Sequence, residues 1–282
     1  MSGNVETLLE GLAFPEGPRW HDDRLWFSDI FAETVCTVDL SGGAEVIAEV
    51  AARPSGLGWT TCNELLVVSM NDRQLLRMED GALCPFTDLS AFATGPCNDM
   101  VVDGHGRAYI GNFGFDMFGG AERRPGAIIG VDVDGTVSLA AAELDFPNGM
   151  VVTPDGRALI AAESYGNRLS RFTIAVDGTL VDRRLFAELD NVVPDGICLD
   201  AEGAVWVADA RANRALRVLD GGRVAETVTV AEGRAVYACA LGGPDRQTLL
   251  LCTSAARGPE SRVVRQGRIE MTRVAVRGAG WP

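Results

Sequence analysis

Three short turns along the chain place oxygen-bearing side chains in the same local setting. The sequences PEGP, PNGM and PDGI each put a polar residue between a proline and a glycine. The polar residues are Glu16, Asn148 and Asp195. Carboxylate and amide oxygens suit Ca²⁺, Mg²⁺ or Mn²⁺, whereas Zn²⁺ is more often held by His and Cys. If the three turns meet in space, they predict a divalent-cation site.

The same turn recurs in more divergent forms at three further positions. Ser55 in RPSGLGW, Asn98 in PCNDMVV and Tyr237 in AVYACAL complete a set of six, at intervals of 39, 43, 50, 47 and 42 residues. Polar turn residues often hydrogen-bond only their local backbone, and this alternative stays open for Ser55 and Tyr237. It is weaker for Glu16, because glutamate is not a common turn residue. A period of about 40–50 residues is typical of propeller blades.

Short strands separated by turns account for the sequence between these positions. The unit from 150 to 174, for example, reads as MVV, a turn, ALIAAE, a second turn and RLSRFTI. No helical period is evident, and 33 glycines and 12 prolines interrupt the chain too often for long helices. We therefore predict an all-β, six-bladed β-propeller that forms a single domain over residues 1–282. The strand at 5–9 is expected to pair with 268–276 and close the ring.

The propeller prediction brings the polar positions together. In this fold the innermost strand of every blade begins near the central axis, so the residue that opens each strand points into the axial channel. Glu16, Asn98, Asn148 and Asp195 would then share one end of the channel. Two carboxylates crowded there would repel each other unless they were protonated or bridged by a cation.

Composition excludes several other classes of function. The net charge is −14 and no basic stripe is present, so nucleic acid is not expected as a partner. All 25 basic residues are arginine, which excludes a Schiff-base lysine, a P-loop and a Ser-Lys dyad. No apolar run approaches the ~20 residues that a membrane span needs, and the N-terminus lacks a basic export signal, so we expect a cytoplasmic protein. His21 and His105 are predicted in hairpin turns, which disfavours a Ser-His-Asp triad.

At the turn residues the chain resembles the family of senescence marker protein 30, gluconolactonase and luciferin-regenerating enzyme. The resemblance is carried by EGP at 16–18, ND at 98–99, PNG at 147–149 and PDG at 194–196, in that order and at blade spacing. It spans essentially the whole chain. It implies a six-bladed propeller with one divalent cation on its axis, typically calcium, and the hydrolysis of a lactone.

The resemblance also implies roles for individual residues. Glu16, Asn148 and Asp195 would be the metal ligands, and Asp195 would in addition act as the general base. Asn98 would contact the substrate or a water at the metal. Asp116 in GNFGFD is the nearest match to an acidic residue that touches substrate in some relatives. The implied cofactor is one divalent cation, most often Ca²⁺, with Mg²⁺, Mn²⁺ and Zn²⁺ as alternatives.

One departure from the family pattern concerns the substrate. Sugar-lactonase relatives often carry an arginine two residues before the ND pair, where this chain has Pro96. Phe113, Phe115, Met117 and Phe118 follow in the same repeat. If they face the channel mouth, the pocket is more apolar than a sugar pocket. If they pack within the loop, they leave substrate choice unaffected.

The favoured function is metal-dependent opening of a small-molecule lactone, with the carbonyl polarised by the cation and attacked by water. Two alternatives stay open. The propeller could bind a divalent cation or a small ligand without catalysis, or it could use the same site on another ester, an epoxide or a biosynthetic cyclisation. The sequence predicts neither the physiological substrate nor the oligomeric state.

Overall fold

The computed structural model describes residues 4–117 and 119–280. Within these residues the chain is built almost wholly of β-strands, which form six four-stranded antiparallel sheets. The sheets follow one another around a central axis as the blades of a propeller. The prediction of an all-β, six-bladed β-propeller is confirmed.

The first strand, β1 (Glu6–Leu12), belongs to the last blade, and every other blade consists of four consecutive strands. Blade 1 comprises β2 (Pro15–His21), β3 (Arg24–Asp29), β4 (Thr34–Val38) and β5 (Ala44–Glu49). Blade 2 comprises β6 (Pro54–Trp59), β7 (Leu65–Ser69), β8 (Gln74–Glu79) and β9 (Ala82–Asp88). Blade 3 comprises β10 (Cys97–Val102), β11 (Ala108–Asn112), β12 (Gly126–Val131) and β13 (Val137–Leu144). Blade 4 comprises β14 (Pro147–Val152), β15 (Ala158–Glu163), β16 (Arg168–Ile174) and β17 (Leu180–Glu188). Blade 5 comprises β18 (Pro194–Leu199), β19 (Val205–Asp209), β20 (Arg214–Val218) and β21 (Val224–Thr229). Blade 6 comprises β22 (Ala235–Gly242), β23 (Thr248–Ser254) and β24 (Gly267–Arg273), together with β1.

Helical structure is scarce in the described part of the chain. It consists of a 3₁₀ turn at Ile30–Ala32 and the short helix α1 (Ser261–Val264). No helix among residues 4–117 and 119–280 has the length and apolar character to cross a membrane.

The ring is closed by strands from the two ends of the chain. β1 runs antiparallel to β24, from Glu6 opposite Met271 to Leu12 opposite Gly267. β1 therefore forms the outer strand of a blade whose other three strands come from the C-terminal part of the sequence. The predicted pairing that closes the ring is confirmed.

Apolar side chains fill the spaces between neighbouring blades. Between blades 4 and 5, Ile160 and Phe186 pack with Ile197 and Val207. The interface between blades 5 and 6 contains Trp206, whose side chain is fully buried. Inner strands such as β6 and β10 are buried along their whole length, whereas the outer strand β5 is largely exposed. The core is thus distributed around the ring, and the axis is left to polar side chains.

Each innermost strand carries a bulge at the polar position identified from the sequence or, in β2, directly after it. In β14 the antiparallel register shifts between Pro147 and Met150, and in β18 it shifts between Pro194 and Ile197. Corresponding shifts occur in β2, β6, β10 and β22. A bulge takes a residue out of the hydrogen-bonded ladder and redirects its side chain. The repeated turn therefore re-aims one side chain per blade.

The glycine after the polar residue is required by the close approach of adjacent inner strands. A Cβ atom on Gly149 would lie 2.5 Å from the backbone nitrogen of Ile197, and one on Gly196 would lie 2.7 Å from the Cα atom of Ala238. A larger residue at either position would push two blades apart. This explains why the glycine repeats in these turns while the polar residue before it varies.

Candidate active site on the propeller axis

Four residues singled out from the sequence line one cavity at the end of the propeller axis. Glu16, Asn98, Asn148 and Asp195 come from the inner strands of blades 1, 3, 4 and 5. The cavity has a volume of about 280 Å³. Each of the four residues is at most 8 % exposed. The bulges therefore deliver two carboxylates and two amides to one buried surface.

A chain of hydrogen bonds fixes the two amides. The Ser55 hydroxyl donates to Oδ1 of Asn98 over 2.9 Å, and Nδ2 of Asn98 donates to Oδ1 of Asn148 over 3.0 Å. Nδ2 of Asn148 donates to the Ser164 hydroxyl over 3.1 Å, and that hydroxyl donates to the carbonyl oxygen of Pro194 over 2.7 Å. Each amide oxygen in the chain accepts one hydrogen bond and keeps a second lone pair for a ligand.

The two carboxylates in the cavity have no cationic partner. Neither Glu16 nor Asp195 forms an ion pair with an arginine or histidine in the described parts of the chain. Burial raises the pKa of Glu16 well above its ordinary value, and the charges of Asp195 and Asp99 raise it further. Burial is also the main cause of the raised pKa of Asp195, followed by the charge of Asp99. Both groups would be stabilised in their charged form by a nearby cation.

The donor set fits a hard divalent cation better than a soft one. Within residues 4–117 and 119–280, no three side chains of His, Cys, Asp or Glu are grouped as metal ligands. A cation at this position would therefore need amide oxygen in addition to the carboxylates of Glu16 and Asp195. Mixed carboxylate and amide oxygen ligation is characteristic of Ca²⁺, whereas Zn²⁺ favours nitrogen and sulfur.

Two buried charged residues near the cavity were not singled out from the sequence. Asp99 follows Asn98 in β10 and is 4 % exposed. Burial raises the pKa of Asp99, and the positive charge of Arg19 opposes this rise. The Arg19 guanidinium donates to the carbonyl oxygen of Pro18 over 2.9 Å and to that of Met100. Arg19 directly follows the EGP motif and Asp99 is the second residue of the ND motif, which is the signal that could have identified them.

Tyr237 is the contribution of blade 6 to the cavity. Its ring packs against Phe14 with the ring centroids 4.5 Å apart. Its hydroxyl oxygen is buried and has no partner at hydrogen-bonding geometry among the described residues. Burial raises the pKa of Tyr237 to about 12, and the positive charge of Arg257 opposes this rise. The tyrosine therefore offers a neutral hydroxyl that could donate to a ligand.

The mouth of the cavity has an apolar wall. The side chains that form it come from blades 1 to 4 and include Phe31, Met70, Phe113, Met117, Phe146 and Tyr165. Phe115 is not among the lining residues; its ring lies 6.1 Å from that of Phe146 and packs behind the wall. Phe118 lies outside the described residues. Of the aromatic and methionine residues noted in the sequence, Phe113 and Met117 face the cavity.

Asp116 lies apart from the axial residues. Its side chain is exposed, and Oδ1 accepts a hydrogen bond from the backbone N–H of Gly119 over 2.8 Å within the same loop. It is not among the residues that line the cavity. Its contact with substrate stays a prediction.

Several cavity residues lie in loops that the sequence repeat does not mark. Ser164 and Tyr165 follow β15, Arg211 follows β19, and Arg257 follows β23. Each of these loops follows the second strand of its blade, but the turn motif does not recur in it and its residues differ in type, so comparison of the motifs did not single them out.

The sequence as a whole matches a known protein family. Residues 14–255 match the family model described as SMP-30/Gluconolactonase/LRE-like region. The chain belongs to this family. Pentonolactonase XacC of Haloferax volcanii is 27 % identical over 261 residues, covering 87 % of this chain and 83 % of the relative. Regucalcin of Xenopus laevis is 26 % identical over 260 residues, covering 89 % and 86 %.

A solved structure shares the fold of this SMP-30/gluconolactonase family member. It is a calcium-binding protein, regucalcin, from Agrobacterium tumefaciens, and it superposes with a TM-score of 0.83. The sequences are 23 % identical, and the match covers 99 % of this chain and 97 % of the other. The likeness extends over the whole propeller.

Proposed function

We propose that the protein is a divalent-cation-dependent hydrolase that opens lactones. The observation that carries the proposal is the pair of buried, unpaired carboxylates, Glu16 and Asp195, beside two oriented amides in one cavity. Membership of a family in which a relative is named pentonolactonase supports the reaction class. The reaction adds water to the carbonyl carbon, breaks the ring C–O bond and gives a hydroxy acid.

The residues that would hold the cation are Glu16, Asn148 and Asp195. Their oxygens are hard ligands, so Ca²⁺ is the proposed ion, with Mg²⁺, Mn²⁺ and Zn²⁺ as alternatives. The calcium-binding regucalcin with the same fold supports this choice. A divalent cation bound there would supply Lewis-acid polarisation of the lactone carbonyl.

Glu16, Asn98, Asn148 and Asp195 form the axial floor of the cavity. Two of these side chains, Asn98 and Asp195, would orient the substrate and accept the proton. The Asp195 carboxylate would accept the proton of the attacking water, as a general base within hydrogen-bonding reach. Asn98 uses one N–H and one oxygen lone pair on Asn148 and Ser55, so one donor and one acceptor position remain for the substrate. The proposed role of Asn98 is therefore to fix the lactone ring by hydrogen bonding.

The apolar wall bears on substrate choice. Phe113 and Met117 lie on the cavity surface, and Pro96 stands where many sugar-lactonase relatives have an arginine. Binding is favoured by roughly 25 cal/mol for each Å² of apolar surface that it buries, but an apolar wall contributes little to the binding of ring hydroxyls. Among uncharged lactones we therefore expect broad activity without a strong preference for gluconolactone. A preference above ~100-fold over an alkyl δ-lactone would contradict this expectation, since that ratio requires hydrogen-bonded hydroxyls.

The test is a panel of γ- and δ-lactones assayed with Ca²⁺, after chelation and after re-addition of each divalent ion. The proposal expects hydrolysis that chelation abolishes and that Ca²⁺ restores. Glu16→Gln should lose activity, whereas Glu45→Gln, at an exposed position in β5, is the charge-matched control. Calcium binding without hydrolysis of any lactone, epoxide or linear ester would favour a non-catalytic propeller. Activity that chelation leaves unchanged would contradict the cation dependence.

A further inference from the structure

The six loops that follow the second strand of each blade define the mouth of the cavity. In blades 1, 2, 3 and 4 these loops contribute the apolar surfaces of Phe31, Met70, Phe113 and Tyr165. In blades 5 and 6 the equivalent loops contribute arginines instead. Blades 5 and 6 are neighbours in the ring and face blades 2 and 3 across the axis. The mouth is therefore apolar on one side and cationic on the other.

The two arginines, Arg211 and Arg257, are available to a ligand. Neither guanidinium lies within 4.0 Å of a carboxylate oxygen in residues 4–117 and 119–280. Both side chains are exposed at the cavity edge. By contrast, Arg214 in the same blade as Arg211 is paired with Asp209 at 3.0 Å. The positive charge at the mouth is thus not cancelled by a direct ion pair.

A second observation at the same side of the cavity also points to a ligand. The Tyr237 hydroxyl is buried without a hydrogen-bond partner at good geometry among the described residues, and it lies near Arg257. Tyr237 is 6 % exposed and lines the cavity. A buried donor of this kind is normally satisfied in a complete complex. An anionic group between Arg257 and Tyr237 would accept from both.

The cationic side of the mouth leads into an adjoining groove. A cavity of about 520 Å³ between blades 5 and 6 is lined by both Arg211 and Arg257, together with Arg234 and Glu232. The Arg234 guanidinium is already engaged, since it donates to the carbonyl oxygens of Thr253 and Gln266. Arg211 and Arg257 therefore stand at the boundary between the axial cavity and a space that a side arm of the substrate could enter.

We propose that the pocket selects lactones that carry an anionic substituent, with the ring on the axial floor and the anion held by Arg211 and Arg257. This inference rests on the proposed lactonase function. The planar guanidinium matches the geometry of carboxylate and sulfonate oxygens and remains charged at every working pH. The net charge of −14 repels anions at long range, so a local pair of arginines is what would allow an anionic substrate to bind.

The first test compares two substrates that differ only in charge. A δ-valerolactone with a carboxyethyl side chain is measured against its carboxamide, which has the same ring and nearly the same volume, and the sulfoethyl compound distinguishes sulfonate from carboxylate. The wild-type kcat/KM for an anionic compound should exceed that of the carboxamide by about tenfold to a hundredfold, the range of one or two charge-assisted hydrogen bonds. The preference should shrink at high salt. Equal kcat/KM for the charged and neutral compounds would overturn the inference.

The second test removes the arginines. In Arg211→Gln with Arg257→Gln, the ratio of kcat/KM for anionic over neutral lactone should fall to about one, and Arg257→Lys should retain part of it. Arg184→Gln removes an exposed arginine on β17, outside the cavity, and should leave the ratio unchanged. Because Arg211 and Arg257 are exposed, the variants should fold, and circular dichroism checks this. A ratio that persists in the double variant, or that falls equally in Arg184→Gln, would contradict the assignment.

The third test separates this inference from the proposed function. The lactam analogues of the carboxyethyl and carboxamide compounds resist hydrolysis, so their binding can be measured by titration calorimetry in Ca²⁺. Tighter binding of the carboxylate lactam by the wild type, lost in the double arginine variant, supports the anion subsite even if no lactone is opened. Hydrolysis of both lactones with equal binding of both lactams would contradict the anion subsite and leave the lactonase proposal intact.

Discussion

Two buried carboxylates in this propeller have opposite surroundings. Glu163, at the end of β15, is fully buried and accepts hydrogen bonds from Arg168, Arg183 and Ser170. Burial disfavours its charged form, but these hydrogen bonds outweigh burial and lower the pKa of Glu163 to about 2. Asp195 is nearly as buried, has no ion pair among the described residues, and has its pKa raised, mainly by burial.

The comparison distinguishes a structural carboxylate from a candidate functional one. The fold supplies Glu163 with its own arginines, so its charge is satisfied within the protein. It supplies Asp195 with none and places a second carboxylate, Glu16, in the same cavity. A buried charge without an ionic partner lowers stability, and strongly perturbed pairs of this kind concentrate at binding and catalytic sites.

The largest effect should come from removing an axial charge. Asp195→Asn is expected to lower kcat/KM for a lactone by about 10³-fold, because it removes both the proposed general base and a cation ligand. Glu45→Gln should change kcat/KM by less than about threefold, because Glu45 is exposed and the substitution removes only a weak surface ion pair with Arg24. Steady-state kinetics in excess Ca²⁺ measure both. An Asp195→Asn enzyme with more than a tenth of the wild-type activity would remove Asp195 from the mechanism.

The next prediction concerns stability, which should depend more on Glu163 than on Asp195. Glu163→Gln is expected to lower the free energy of unfolding by about 3 kcal/mol, because it breaks a buried network and leaves Arg183 without its anion, while Arg168 keeps only Asp145. In the presence of chelator, Asp195→Asn should cost less than about 1 kcal/mol or be stabilising, because it relieves repulsion. Urea unfolding of both variants tests this. If Asp195→Asn in chelator costs as much as Glu163→Gln, the two carboxylates do not differ as described.

The pH dependence of stability should follow from the lowered pKa of Glu163. A carboxyl whose pKa is lower in the folded than in the unfolded protein contributes stability above the unfolded value of about 4.5, and this contribution is lost as pH falls through the folded value of about 2. The difference in unfolding free energy between wild type and Glu163→Gln should therefore be full at pH 7 and shrink between pH 5 and pH 2. Other acidic groups contribute equally to both proteins and cancel. A difference that stays constant down to pH 2 would show that the hydrogen bonds to Glu163 do not depend on its charge.

A smaller effect is expected from the cation itself. An ion that binds only the folded state adds about 2.7 kcal/mol at a concentration of 100 Kd. Calcium should therefore raise the Tm of the wild type, and Glu16→Gln with Asp195→Asn should abolish the shift while Glu163→Gln, although less stable, keeps it. Thermal unfolding with and without Ca²⁺ measures all three. A calcium shift that survives in the double axial variant would place the ion elsewhere.

The sequence predicts the axial floor because the floor belongs to the repeat. Glu16, Asn98, Asn148 and Asp195 occupy equivalent positions in successive units, and the bulge at that position sends each side chain to the same place. After Glu16, Asn148 and Asp195 the next residue is a glycine fixed by backbone contact between blades, so the polar residue before it is free to vary. A period and a turn were therefore enough to bring these four residues together.

The cationic side of the mouth and the Glu163 network could not be predicted in this way. Arg211 and Arg257 lie in the loops that follow the second strand of blades 5 and 6, but the corresponding loops of the other four blades place apolar side chains at the cavity, so the repeat does not predict an arginine there. Arg183 reaches Glu163 from β17, whose pairing with β16 contains two register shifts, so strand spacing alone does not predict the contact. Phe115 illustrates the same limit, since its neighbour Phe113 faces the cavity and Phe115 packs behind it.

The most direct test is a crystal structure of the protein grown with Ca²⁺, with anomalous data to identify the ion. We predict one ion on the propeller axis, with oxygens of Glu16, Asn148 and Asp195 at about 2.3–2.6 Å, the range for calcium. Distances of about 2.0–2.1 Å would instead indicate magnesium at the same site. An axis without an ion at saturating Ca²⁺, with Glu16 and Asp195 paired to arginines or to each other, would contradict the proposed cation site.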